Sequence, residues 1–286
     1  MILQNEFMTV EIASAGAELM RIYDRARDAE LLWNGDPAYW KRRSPVLFPN
    51  VGKTCGNVMR IDGREYPTGQ HGFARDMDFV LEKSSETDVC YLLRSSAETL
   101  ARYPFDFELR IAYRLEGKVL KVIWKLRNCS ACEMPFTIGG HPAFTLDGSK
   151  EDYCLHFPDR ESLVHLLLDP ASGTAVADRP YTIALEGGWL SLSEEMFAHD
   201  ALILDGNQVE EVWLCKKDGG ARIGMRCEGF PNFGIWSVQG AKFVCLEPWM
   251  GRCDDCGYSG EFAGKANINR LAPGAEFEKN YDILIP

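Results

Sequence analysis

Residues 107–126 constrain the fold more than any other stretch of this chain. Phe107, Leu109, Ile111, Tyr113 and Leu115 alternate strictly with Asp106, Glu108, Arg110 and Arg114, the period-two pattern of a strand with one buried face. Glu116-Gly117-Lys118 turns the chain, and Leu120, Val122, Trp124 and Leu126 carry the pattern back, so the stretch reads as a long antiparallel hairpin. Most of the chain beyond it is of the same kind. Strands are expected over 153–157, 181–185, 201–204, 209–216, 221–227, 234–238, 243–246 and 276–285, separated by glycine-rich turns. Helical character is confined to single turns over 37–42, 99–103 and 194–197. With no ten-residue helix between strands, a βαβ architecture is excluded. The expected fold is all-β, a large antiparallel β-sandwich with few short helices. No repeat, low-complexity segment or linker divides the 286 residues, so one domain over 1–286 is expected, a size all-β domains reach.

A formal net charge of −11 opposes nucleic acid and anionic membrane as partners, because both require basic surface. The run Lys41-Arg42-Arg43 reads as a solvated face. No segment approaches the ~20 apolar residues of a membrane helix, and Met1–Glu6 lacks the pattern of a secretory signal. A cytoplasmic location and a small ligand are therefore expected, with the ten cysteines as reduced thiols. Cys129/Cys132 and Cys253/Cys256 are C-x-x-C pairs, but zinc ribbons place their pairs ~15–20 residues apart. These lie much farther apart, and no histidine accompanies either at ligand spacing, so no metal site is expected.

Three stretches carry candidate chemistry. His141 follows Gly139-Gly140 and precedes Pro142, His71 lies between Gln70 and Gly72, and Glu247 stands in Leu246-Glu247-Pro248-Trp249. Glycine lets a backbone turn sharply or approach a ligand, and proline interrupts a strand, so both histidines read as exposed and aimed by their backbones. Glu247 closes the apolar strand over 243–246, where partial desolvation raises a carboxyl pKa and suits it to general-base work, with histidine as complementary acid. Phe73, Phe144, Trp236 and Trp249 are candidates to pack on the apolar face of a sugar ring. Ser44–Lys53 is an apolar strand bracketed by prolines that delivers a cation, Lys53, without the glycine spacing of a phosphate-binding loop. His156, His165 and His199 read as structural or surface residues.

Ser44-Pro45-Val46-Leu47-Phe48-Pro49, His71-Gly72-Phe73-Ala74-Arg75, Gly140-His141-Pro142-Ala143-Phe144 and Leu246-Glu247-Pro248-Trp249 with Gly251 and Asp254 together resemble the aldose 1-epimerase (galactose mutarotase-like) family, in its LacX-like branch. The resemblance spans nearly the whole chain. It implies a β-sandwich of the galactose mutarotase type (supersandwich), a sugar in an open cleft, and no metal or organic cofactor. It makes Glu247 the general base on the anomeric hydroxyl and His141 the general acid on the ring oxygen. His71 becomes a hydrogen-bond donor near the ring oxygen, and Asp200 a ligand of sugar hydroxyls. Lys53 falls where many mutarotases carry arginine, and Arg75 and Trp249 join the substrate contacts. The expected activity is interconversion of the α and β anomers of a free aldohexose, with a small-molecule sugar as partner and the chain a monomer or homodimer. Two alternatives stay open. His71–Arg75 also resembles the hexose-6-phosphate epimerases, where Arg75 with Lys41, Arg42, Arg43 or Lys53 would hold a phosphate. The other is a non-catalytic carbohydrate-binding protein that kept the cleft.

Overall fold

A computed structural model describes residues 1–286. The hairpin forms as expected, Phe107–Glu116 pairing with Val119–Asn128 in the register Phe107↔Asn128 through Glu116↔Val119. It lies inside a nine-stranded sheet whose order is Trp189–Ser191, Tyr153–His156, Glu211–Lys216, Ala221–Arg226, Glu276–Leu284, the two hairpin strands in reverse, Asp88–Arg94 and Val80–Ser84. A second sheet of eight strands runs Tyr181–Ala184, Ser162–Leu166, Leu202–Asp205, Asn232–Trp236, Phe243–Met250, Ile138–Gly140, Val46–Leu47, with Ala143–Thr145 also paired to Phe243–Met250. Pairing within both sheets is antiparallel.

The two sheets face each other across one continuous apolar cluster. The first contributes Leu109, Ile111, Val122, Trp124, Ile223 and Met225, and the second Leu202, Leu204, Phe233, Ile235, Val244 and Leu246. Trp124 packs edge-on against Phe230 and Tyr281, with ring centroids 5.9 and 5.4 Å away. Truncating it leaves a large void, so Trp124→Ala should lower the unfolding free energy by ~3–5 kcal/mol, read from denaturant midpoints.

Because strand side chains alternate, the same strands of the second sheet present another set to its outer face: Ile203, Trp236, Phe243, Cys245, Glu247 and Trp249. The sequence ends this strand at Leu246, whereas it runs through Glu247-Pro248-Trp249 to Met250 and holds Glu247 in its interior. Leu246 N–H bonds to Pro142 O at 3.2 Å, so the nitrogen of Pro248, two residues on, faces the same side. There the register Gly139↔Trp249 and Ala143↔Cys245 sets Gly140 opposite Pro248, so the ladder forgoes one N–H bond beside the strand break at His141-Pro142.

Helix is as sparse as expected. Ala97–Leu100 is capped by Ser96, which accepts from Thr99 N–H, so this turn begins earlier than 99–103. Glu195–Phe197 is a 3-10 turn and 37–42 a non-helical turn. No helix is long and apolar enough to cross a membrane. All ten cysteines are free thiols.

Candidate active site

The outer face of the second sheet becomes a site because two loops and a strand break close over it. In the first loop Gly52 and His71 exchange hydrogen bonds: His71 N–H donates to Gly52 O at 2.9 Å, and Gly52 N–H donates to His71 Nδ1 at 3.0 Å. Nδ1 is thereby an acceptor, and the neutral ring carries its proton on Nε2. Asn50 braces the loop by donating to Gly52 O and Gly69 O at 2.9 and 3.1 Å while accepting from Thr68 Oγ1 at 2.8 Å. Gly72 has φ +69°, and a Cβ there would meet Phe48 O at 2.2 Å. Gly72→Ala should therefore destabilise the fold by more than ~1 kcal/mol and loosen His71, which denaturant melts and sugar binding would report.

His141 occupies the break after Gly139-Gly140. Its Nε2 lies 3.3 Å from Glu247 Oε2, although the pair is off hydrogen-bond alignment: Oε2 and His141 Nδ1 both lack a hydrogen-bond partner. The sequence expects both histidines to be exposed, yet His71 and His141 are only 7 % and 6 % accessible and Glu247 1 %. Aromatic rings supply the cover. Trp40 stacks on the His141 ring at 4.7 Å and 28°, Trp236 meets it edge-on at 5.6 Å, and His71 does so at 5.5 Å.

Burial drives each group toward its neutral form. His141 is brought down to about 3, chiefly by desolvation and then by Arg75. His71 falls well below the usual imidazole range through burial, with His141 as the next cause. Burial pushes the Glu247 carboxyl well above the usual range; the Trp249 indole N–H opposes that shift and Asp200 adds to it. Between those limits the Glu247–His141 pair holds one proton, which burial places on the carboxyl. The carboxyl–imidazole and carboxylate–imidazolium forms have the same proton count, so a substrate hydroxyl can draw the pair from one to the other without exchange with solvent.

Cys245 lies beside the pair, its Sγ, an imidazole nitrogen of His141 and a Glu247 oxygen all within 4.8 Å of one another. A metal would require the thiolate, but burial and Glu247 hold the Cys245 thiol well above its ordinary pKa. The set fits proton transfer better than metal binding.

Above the pair is a cavity of about 350 Å³, within the size range of small-ligand sites. Glu247, His141, His71, Arg75, Asp200 and Trp249 all line it. Lys53 does not; its side chain lies against Gly173, where a Cβ would be 3.0 Å from its Nζ. Phe73 and Phe144 point into the main core instead of the cavity.

The model of the aldose 1-epimerase family matches residues 1–165. The chromosomal protein LacX of Lactococcus lactis subsp. lactis is 33 % identical over 295 residues, covering 99 % of this chain and 98 % of that protein. The chain belongs to the aldose 1-epimerase family. A galactose mutarotase related enzyme from Lactobacillus acidophilus superposes with a TM-score of 0.94 at 31 % identity, covering 100 % of this chain and 97 % of that one. A galactose mutarotase-like protein from Lactobacillus casei ATCC 334 gives 0.92 at 28 % identity, with 100 % and 99 % covered. The expected galactose mutarotase-type sandwich and LacX-like branch therefore stand.

In this aldose 1-epimerase family member the sequence reading misses Trp40, Asn50 and the apolar end of the cavity formed by Val51, Leu168, Ile203 and Cys253. Trp40 belongs to the turn after Pro37, which bonds its own N–H to Asp36 O at 2.9 Å and accepts Trp33 Nε1–H at 2.8 Å. Nothing in a single aromatic beside a basic run signals that turn's position over His141.

Proposed function

We propose that this protein is an aldose 1-epimerase that interconverts the anomers of a free aldohexose by general acid–base ring opening, the chain 1–286 acting as one galactose mutarotase-like domain. The observation that carries this reading is the buried His141 Nε2–Glu247 Oε2 pair, 3.3 Å apart at the cavity wall. The anomeric hydroxyl and the ring oxygen of a pyranose are attached to the same carbon. Two proton-transfer groups side by side suit them better than groups at opposite ends of the sugar.

In the forward direction Glu247 takes the proton from the anomeric hydroxyl as His141 delivers one to the ring oxygen. The bond from the anomeric carbon to the ring oxygen breaks, leaving an aldehyde and a new hydroxyl. Rotation about the neighbouring C–C bond turns the other carbonyl face to that hydroxyl, and closure with the proton transfers reversed forms the other anomer. His71 Nε2–H is a neutral donor for a sugar oxygen. Trp40 and Trp236 offer apolar ring faces, and Asp200, at the rim with φ +71°, takes hydroxyls. Polarimetry of freshly dissolved α-glucose and α-galactose tests the proposal. Saturable acceleration is expected, whereas a rate equal to buffer with every aldose would favour the non-catalytic sugar binder.

One observation favours a phosphorylated aldose as a second reading. Arg75 lines the cavity with Nε buried and unpartnered. Its guanidinium is brought down to about 10 by burial and by Arg42, and Asp76, 3.9 Å from Arg75, is 2.7 Å from Arg42. On the first reading kcat/KM for glucose 6-phosphate does not exceed that for glucose. On the second it exceeds it, and Arg75→Met removes the difference.

A further inference from the structure

Trp249 sits two residues beyond Glu247 on the same face of strand Phe243–Met250, and its surroundings are unusual for so large a side chain. Its neighbour across one side is Gly139, and Gly234, on the other side, is the partner of Glu247. A Cβ on Gly139 would lie 2.5 Å from Trp249 Cδ1, and one on Gly234 2.4 Å from Cζ2. The indole is therefore laid across three strands, slanting from its own position toward that of Glu247, and only residues without side chains allow it. Nε1 lies between Cδ1 and Cζ2 along one edge of the indole. That edge spans Gly139 to Gly234, which puts the N–H over the strand that carries Glu247. The residue is 4 % accessible, so most of the ring is unavailable for a sugar to stack on. Nε1 is buried and, like Glu247 Oε2, has no aligned hydrogen-bond partner, and an unpaired buried donor is unfavourable.

We propose that Trp249 is a positioning residue, its indole N–H held against the Glu247 carboxylate by the Gly139–Gly234 gap so that Glu247 stays aimed at the anomeric hydroxyl. The inference rests on the acid–base reading above. It also agrees with the electrostatics, since the indole N–H favours the charged carboxylate against burial. The other titratable groups around Glu247 are His141 from the strand break, Cys245 on its own strand and Asp200 from the loop before Leu202–Asp205. Replacing Trp249 changes none of them.

Saturation kinetics of mutarotation across pH, on purified wild type, Trp249→Phe, Gly234→Ala and Glu247→Gln, test it. Phenylalanine keeps an aromatic ring and removes the N–H. Trp249→Phe should lower kcat roughly tenfold with KM within about twofold. The alkaline limb of kcat/KM should move to higher pH, because the carboxyl holds its proton longer without the donor. Gly234→Ala, which displaces the ring, should lower kcat in the same way. Wild-type kcat and an unmoved limb in Trp249→Phe overturn the proposal, and so does a rise in KM alone, which would make Trp249 a sugar contact. If Glu247→Gln also keeps full activity, the failure lies in the acid–base reading; if it is inactive while Trp249→Phe is normal, only the positioning role has failed.

Discussion

Glu247→Gln should lose mutarotase activity by ~10²–10⁴-fold, the contribution of a positioned acid or base, while KM for the sugar changes little. Glutamine has the shape of the carboxylate and can still make a hydrogen bond, but it cannot take a proton from the anomeric hydroxyl. The fold should not suffer. In the folded chain the carboxyl pKa is raised by burial, so its favourable contribution to stability is full below the unfolded value of ~4.3 and is lost as pH rises through the folded value. At neutral pH the buried carboxyl is a burden, and the amide relieves it. Thermal melting of Glu247→Gln at neutral pH should match or exceed wild type, so inactivity would not be a folding defect. Activity equal to wild type would remove Glu247 from the mechanism.

His141→Asn should lose activity over the same ~10²–10⁴-fold range. Asparagine retains a donor but no longer exchanges a proton with the ring oxygen, and it gives up the stack on Trp40 at 4.7 Å. If the two groups act as one proton-sharing unit, combining His141→Asn with Glu247→Gln should reduce the rate little below either single variant, since residues acting as a unit are strongly non-additive. Losses that multiply would mean two independent contributions. Polarimetry on the four proteins distinguishes these outcomes.

The sandwich was legible because the alternation over 107–126 leaves little choice of which face is buried, and the later strands repeat that logic between glycine turns. Glu247 stood out as a polar residue closing an apolar run. Its depth did not, because Pro248 reads as a strand terminator, whereas pairing on both sides carries the strand through it. Phe73 and Phe144 looked like sugar platforms from their place beside the histidines. Side-chain direction is set by backbone geometry rather than nearness in sequence, and both turn into the core. Trp40 and Lys53 illustrate the same dependence on tertiary path: one turn folds over His141, and the other side chain lies against Gly173. Both histidines reach the cavity for a local reason. Gly72 abuts the Phe48 backbone, and Gly139 and Gly140 abut the Trp249 and Tyr281 side chains, so none of the three has room for a side chain.

The most direct test of a buried pair sharing one proton is the pH dependence of kcat/KM for mutarotation by the wild-type protein, corrected for the spontaneous rate. With His141 down to about 3 and the Glu247 carboxyl raised, the rate should stay level as pH falls through the ordinary carboxylate range and should decline only as pH rises through the value of the buried carboxyl. A rate that instead falls away near pH ~4–5, where a solvated glutamate protonates, would contradict the account.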